Sequence, residues 1–273
     1  MSKLLKAGIW RLTHNKVFVS MIVLTVIVAI TFIINSCINN FKYGVDNLIF
    51  SYINLIGFFI AIFTSLFVGS EYDYGTIRNK IVVGHSRVSI YISTLIINIV
   101  VAIFLELIYI LVTMLIGIPI LGEFTLTISQ IITTLLYLVV TIIGYTSIFT
   151  FVTLICSEIT LSTVINIVLI LVMFVSTQFL IQVVNAREYS YSTSYGENGE
   201  IISQEIIGKN PNYPGENVKE ICKRILYTIP TGQADIILNN MENTDKQILL
   251  YSTGMSVAIS LLGIITFNKK ELK

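Results

Sequence analysis

Residues able to do chemistry are scarce in this chain and concentrated in one place. The stretch EYDYGTIRNKIVVGHSR, residues 71–87, gathers three cations (Arg78, Lys80, Arg87), two anions (Glu71, Asp73), His85 and two glycines, Gly75 and Gly84. Catalytic chemistry elsewhere finds little support. There is no GxxxxGK[ST] loop to cradle phosphates, no HExxH pair to hold zinc and no GxSxG turn to expose a nucleophile. The two histidines, His14 and His85, are far apart in sequence. Cys37, Cys156 and Cys222 form no CxxC pair and no metal-ligand spacing, and at most one disulfide could join two of them. No basic stripe for nucleic acid and no haem-attachment motif is present. An enzyme is disfavoured. The chemistry expected of residues 71–87 is recognition, a charged surface offered to a partner.

The elements that must position this surface are very apolar. Hydrophobic residues make up 55% of the 273 and charged residues 12%, against about 25% charged in a soluble domain; the mean hydropathy is +0.84. An integral membrane protein is implied. A helix needs roughly 20 apolar residues to cross a hydrocarbon core of about 30 Å. Six segments meet that requirement: Val17–Asn35, Leu48–Gly69, Val88–Ile118, Leu126–Cys156, Ile159–Val184 and Gln247–Phe267. The third and fourth exceed a straight crossing, so they must tilt, kink or project. The first reads as a span, because its apolar run outlasts the roughly 7–15 residues of a signal sequence and no small-residue cleavage site precedes Asn39-Asn40-Phe41-Lys42.

Charge distribution orients the chain, whereas its net charge of +1 does not. Lysine and arginine in short loops favour the cytoplasmic side. They cluster in the N-terminal lead (Lys3, Lys6, Arg11, Lys16), after span two (Arg78, Lys80, Arg87) and in the tail (Lys269, Lys270, Lys273). The first loop offers only Lys42, and the loop around Glu123 offers none. Both termini and residues 71–87 are expected in the cytoplasm. The loop from about Arg187 to Lys246 is then outside, where long loops translocate regardless of charge.

The expected fold is an all-α integral membrane protein in four parts. Residues 1–16 form an amphipathic helix, 17–185 the first five spans, 186–246 a small extracellular cap, and 247–273 the sixth span with a basic cytoplasmic tail. In the lead, Leu5, Ile9 and Leu12 share one face, with Lys3, Lys6, Arg11 and His14 mainly on the other. Two readings are open: a helix lying among anionic headgroups, or a plain positive-inside anchor. The cap begins with turn-forming composition and a hairpin pattern across Gly196-Glu197-Asn198-Gly199. A helix follows with Val218, Ile221, Cys222, Ile225 and Leu226 at helical spacing; Pro230 is expected to stop it, and Thr231-Gly232 to turn.

Few polar residues interrupt the spans: Asn54, Asn98, Glu106, Asn166, Gln178 and Gln182. An ionised carboxylate at mid-bilayer costs several kcal/mol, so Glu106 must face protein or water, find a partner or take up a proton. It marks a substrate path or an interhelical link, or it reaches the interface from a tilted helix. Asn98, Asn166 and Gln178 read as interhelical contacts or as part of the same path. Glu158, in the turn CSEIT between spans four and five, is a possible second cytoplasmic contact.

Gly84 followed by Ser86 reads as a helix stop and then an N-cap for span three. That leaves residues 74–83 as a short surface helix, apolar along Ile77 and Ile81 and polar at Arg78, Asn79 and Lys80. The stretch EYDYGTIRNKIVVGHSRVSIYIS resembles the signature that follows the second span in ABC-2-type exporter permeases. The matching positions are Glu71, Tyr72, Gly75, Thr76, Ile77, Arg78, Asn79, Lys80, Gly84, Ser86, Arg87 and Tyr91. The amphipathic lead, the six spans, the segment Pro230–Gln233 before the last span and the basic end FNKKELK extend the likeness.

The resemblance implies a permease of two six-span halves, each seated on a separate cytoplasmic ATPase subunit, so two ATPase copies serve one transporter. ATP and Mg²⁺ belong to those subunits, with no cofactor on this chain. The short helix docks in a cleft of the ATPase, where Arg78 and Lys80 meet acidic partner residues, while Glu71 and Arg87 hold it against the ends of spans two and three. Ile77, Arg78 and Ile81 are the first residues expected in the partner's grip. Relatives of this size include exporters of amphipathic peptides, such as phenol-soluble modulins and bacteriocins. Spans with few fixed charges suit an amphipathic or lipid-like cargo sliding along the interior, with membrane lipids as further partners. The alternatives are the same architecture exporting a drug, lipid or polysaccharide, and a non-transporting sensor or scaffold. A homodimer is expected from the commonness of two-fold symmetry. The Ile-, Asn- and Lys-rich composition fits the plasma membrane of a Gram-positive bacterium.

Overall fold

A computed structural model describes residues 1–38, 45–122, 125–195, 201–241 and 244–270. The chain runs through α1 (Ser2–Thr13), α2 (Lys16–Ile38), α3 (Val45–Phe50), α4 (Ile53–Asp73), α5 (Thr76–Val82), α6 (Arg87–Leu121), α7 (Ile128–Cys156) and α8 (Ile159–Val184). It continues through β1 (Tyr189–Tyr195), β2 (Ile201–Lys209), α9 (Glu216–Thr228), α10 (Pro230–Asn239) and α11 (Gln247–Lys269). Six helical segments are long and apolar enough to cross a membrane: α2, α3 with α4, α6, α7, α8 and α11. The chain is accordingly a helical, multi-pass membrane protein.

The enclosed centre is built on α4 and α7, which pack on each other, with α8 against α4, α11 against α7 and α2 against α6. Large aromatics fill it: Tyr52, Phe63 and Phe67 from α4 and the residue before it, Tyr91 and Tyr109 from α6, and Tyr145 and Phe149 from α7. The outward faces of the peripheral helices are just as apolar. Val23, Ile27 and Ile34 on α2, and Val168, Val172 and Phe179 on α8, are exposed, as on a surface that meets lipid rather than water.

Two features differ from the expected layout, and one follows it. Span two is broken at Ser51-Tyr52, where the Ser51 hydroxyl donates to the Leu48 carbonyl at 2.7 Å and the Asn54 and Leu55 amides turn back to Ser51 and Tyr52. A serine bonding its own backbone competes with the helix ladder. Span three is one unbroken helix of 35 residues, roughly 52 Å at 1.5 Å per residue, so it projects or tilts. Span four begins at Ile128 instead of Leu126, because Thr127 and Gln130 form a reciprocal capping box.

The connection between α8 and α11 holds an antiparallel hairpin, with Tyr189 opposite Lys209 and Tyr195 opposite Ile201. The turn expected at Gly196–Gly199 lies outside the described residues, as do Lys42, Glu123 and Lys273. Pro230 does not simply end a helix; it starts α10 as its first residue, where its missing N–H costs nothing. Thr231-Gly232 is thus the first turn of a helix and not a loop. In α9 the buried residues are Cys222, Leu226 and Tyr227. Val218, Ile221 and Ile225, expected on the packed face, are exposed. All three cysteines are unpaired.

Candidate functional site

The polar stretch builds a short helix fixed at both ends by glycine. Gly75 (φ 65°) ends α4 and Gly84 (φ 94°) ends α5, both in the left-handed region that side chains with a Cβ avoid. The Gly84 and His85 amides donate back to Ile81 and Lys80, the paired closure of a Schellman stop. At the other end the Gly75 amide donates to Tyr72, and the Thr76 hydroxyl donates to the Glu71 carbonyl at 2.8 Å. Ser86 then caps α6 by accepting from the Ser89 amide, as expected. The helix spans Thr76–Val82, slightly less than 74–83.

Glu71 is the anchor. Its side chain is 7% exposed, and each carboxylate oxygen receives Lys80 Nζ at 2.7 Å. The Arg11 guanidinium, from α1, bonds the same carboxylate. Arg11 also donates to the Phe67 carbonyl at 2.8 Å and lies 3.8 Å over the Phe67 ring. One carboxylate thereby ties α1, α4 and α5 together. Burial pulls the Arg11 pKa down, and the neighbouring Glu71 charge opposes that pull. Arg11, expected on the basic face of α1, turns inward because the buried face of α1 is Leu4, Gly8 and Leu12, with Leu5 only partly buried beside it. Gly8 sets this face, since a Cβ there would lie 2.0 Å from the Ile97 side chain. Ile9 and Trp10 are left exposed.

Three residues expected at the partner contact are placed otherwise. Lys80 is taken by Glu71 and is not free for an acidic partner. Ile77 is 1% exposed and faces the bundle, with Ile81 half-buried beside it, so neither leads the outward face. That face consists of Tyr74, Val82 and Val83, at 78–79% exposure, with Arg78 and Asn79 also exposed. Tyr72 points the other way, donating to the Leu154 carbonyl of α7 at 2.5 Å.

The same end of the bundle carries further cation–carbonyl ties. Arg87, at the start of α6, donates to the carbonyls of Phe267 (2.9 Å), Asn268 (3.3 Å) and Lys270. Lys270, just beyond α11, donates to Leu154 O at 2.9 Å, to Ile155 O and to the Ser157 hydroxyl. Burial lowers the Lys270 pKa. Sequence reasoning placed Lys270 in a basic tail and missed this role. Its position three residues after Phe267, where the last apolar run ends, was the available signal. Glu158 lies nearby, exposed at the start of α8.

The polar residues inside the spans divide clearly. Asn98 donates to Thr150 at 3.0 Å, joining α6 to α7. Asn166 donates to Ser65 at 2.8 Å and Thr153 at 2.9 Å, joining α8 to α4 and α7. Both act as interhelical links. Gln178 is exposed and lines two cavities at the end of the bundle opposite α5. Glu106 is 4% exposed, near the middle of α6. Neither of its oxygens has a partner among the described residues, so the interhelical link, one of the readings open to it, is not formed among them.

This architecture defines a six-span helical membrane protein that presents a rigidly anchored surface helix at one end. Comparison with protein-family models finds no match, and comparison with curated proteins finds none.

Proposed function

We propose that the chain is the permease subunit of an ATP-driven exporter, moving amphipathic peptides outward by alternating access. The termini and α5 are cytoplasmic, α1 lies at the inner interface, and the β1–α10 connection is an extracellular cap. Two copies of the chain form the pathway, and each seats on a cytoplasmic ATPase subunit that holds ATP and Mg²⁺. The observation that carries this reading is the build of α5. A seven-residue helix stopped by glycines at both ends is clamped to two other helices through buried Glu71, yet offers Tyr74, Arg78, Val82 and Val83 outward. A loop that only set topology would need its cations and none of this. Rigidity is what a helix needs to pass a partner's movement into the bundle.

The test is co-purification with the candidate ATPase in lipid, followed by peptide-stimulated ATP hydrolysis. Arg78→Glu and Val82→Asp change exposed side chains, so folding is expected to survive while the complex is lost. An intact complex and full export in both variants would overturn the docking role. Stimulation by lipids or drugs but by no amphipathic peptide would overturn the cargo class.

A further inference from the structure

The α8–α11 connection closes over the end of the bundle opposite α5 and leaves a cleft of ≈ 580 Å³, within the size range of small-ligand sites. Ile181, Leu226 and Ile236 give it apolar walls, and Asn185, Asn239 and Asn240 give it polar ones. Two carboxylates line it in different states. Asp245 is already engaged, accepting from the Tyr227 hydroxyl at 2.8 Å and the Gln247 amide at 3.0 Å. The cleft's one lining cation, Lys223, acts on Asp245 and lies 5.6 Å from the Tyr227 ring. Asp235 has no cation within ion-pair distance among the described residues; its carboxylate meets only the Asn239 amide, at 3.0 Å.

Gln178 and Asp235 also line a second cavity of ≈ 260 Å³, whose apolar wall is Phe32, Leu55 and Phe174. Asp235 therefore stands where a polar cleft meets an apolar cavity inside the bundle. Carboxylates disfavour an anion there. An inorganic divalent cation takes six to eight oxygens, commonly with several carboxylates, and Asp235 lacks that company. A sugar would leave the apolar wall unused.

We propose that Asp235 is a binding subsite for a cationic amphiphile. A primary ammonium or guanidinium pairs with its carboxylate, and the apolar body lies toward Phe32, Leu55 and Phe174. The exporter reading supplies only the direction, with the subsite at the outward end of the path; binding itself does not depend on it.

The experiment uses the full chain in zwitterionic-lipid nanodiscs without ATPase, so it can fail or succeed independently of ATPase docking. The probe is a fluorescent leucine–lysine amphipathic peptide, compared by anisotropy with the same peptide bearing acetyl-lysine. The charged peptide is expected to bind about tenfold tighter, the scale of one charge-assisted hydrogen bond, and Asp235→Asn should erase the difference. Gln178→Lys alters an exposed side chain and places a cation in the shared wall, so it should also weaken binding of the charged peptide. Equal binding of the two peptides, a preference that survives in Asp235→Asn, or unchanged binding in Gln178→Lys would each overturn the proposal. Displacement of the peptide by millimolar Na⁺ would assign the subsite to an inorganic cation and overturn it too.

Discussion

Glu71→Ala is the sharpest perturbation available in this molecule. The substitution removes one buried carboxylate and strands two cations, Arg11 and Lys80, whose side chains are 26% and 23% exposed. Breaking a buried ion pair from one side costs about 3–5 kcal/mol. The partial exposure of both cations lets water return to them, which places the cost at the low end, about 3 kcal/mol. The loss falls on the docking of α1 and α5, since the bundle beneath has its own core. At 1.4 kcal/mol per tenfold, the undocked population should rise roughly a hundredfold. Hydrogen exchange of residues 76–84 in nanodiscs reads this directly: their amides should exchange about two decades faster, with the centre of α7 unchanged. Glu71→Gln keeps part of the bonding and should do less. Replacing all three residues together (Arg11→Met, Glu71→Leu, Lys80→Met) removes the stranded charges and should restore much of the protection, because apolar isosteres often match a buried ionic cluster. Unchanged exchange in Glu71→Ala, or a triple variant no better than the single one, would refute the anchor.

At Gly75 a Cβ would meet nothing within 4 Å, so the cost of substitution is purely conformational: Gly75→Ala should cost about 1–2 kcal/mol and Gly75→Asn clearly less, measured as thermal stability in detergent. Lys270→Met should lower stability by about 1–2 kcal/mol and speed exchange at the last turn of α7, where its bonds are lost. Burial raises the Asp235 pKa above 3.8, so the folded state favours its neutral form. That advantage is complete below the ordinary value and is lost as pH rises through the raised value; Asp235→Asn should therefore gain stability over the native chain at pH 7, with the gain vanishing only below the ordinary value of 3.8. Glu106→Met removes a buried carboxyl whose oxygens lack partners and should raise stability by about 1–3 kcal/mol; a loss of stability would mean that Glu106 is satisfied in the membrane.

What the sequence made legible was whatever depends on length and on a single chain position. Six apolar runs gave six spanning helices within a few residues, and Gly84-His85-Ser86 gave the stop and cap of a surface helix, because left-handed backbone and N-capping are local demands. The choice of packed face was not legible. On α1 it depends on Gly8 meeting Ile97 across the bundle, and no periodicity count over three turns separates Leu4-Gly8-Leu12 from Leu5-Ile9-Leu12. Lys80 reads as free because no acidic residue lies within a helical turn of it in sequence; its partner lies nine residues back, across the turn that Gly75 creates. Pro230 carries the same signal whether it ends one helix or begins the next. Here the buried bond between the Thr231 and Thr177 hydroxyls, at 2.6 Å, helps hold the new helix against α8.

The ties around α5 share one physical pattern. A helix C-terminus presents carbonyls without intrahelical donors and a partial negative charge, and α7 and α11 both end beside α5. Lys270 supplies donors to α7, and Arg87 supplies them to α11. Each of these cations belongs to a different helix from the carbonyls it serves, so the bonds act between elements as well as capping them. Arg87 belongs to α6 and holds the end of α11; Lys270 follows α11 and holds the end of α7; Tyr72 of α4 reaches the same Leu154 carbonyl as Lys270. Through Glu71, α5 and α1 join α4. A displacement applied to the exposed face of α5 would therefore reach α4, α7, α11 and α6 through short polar bonds at one end of the bundle. At the opposite end, Thr231 of α10 bonds both the Thr177 hydroxyl and the Met173 carbonyl of α8, beside the open cavities that Asp235 joins. The ties at the α5 end carry full charges, whereas the bonds joining Thr231 to α8 are neutral, so charge-assisted coupling between helices is concentrated where α5 sits.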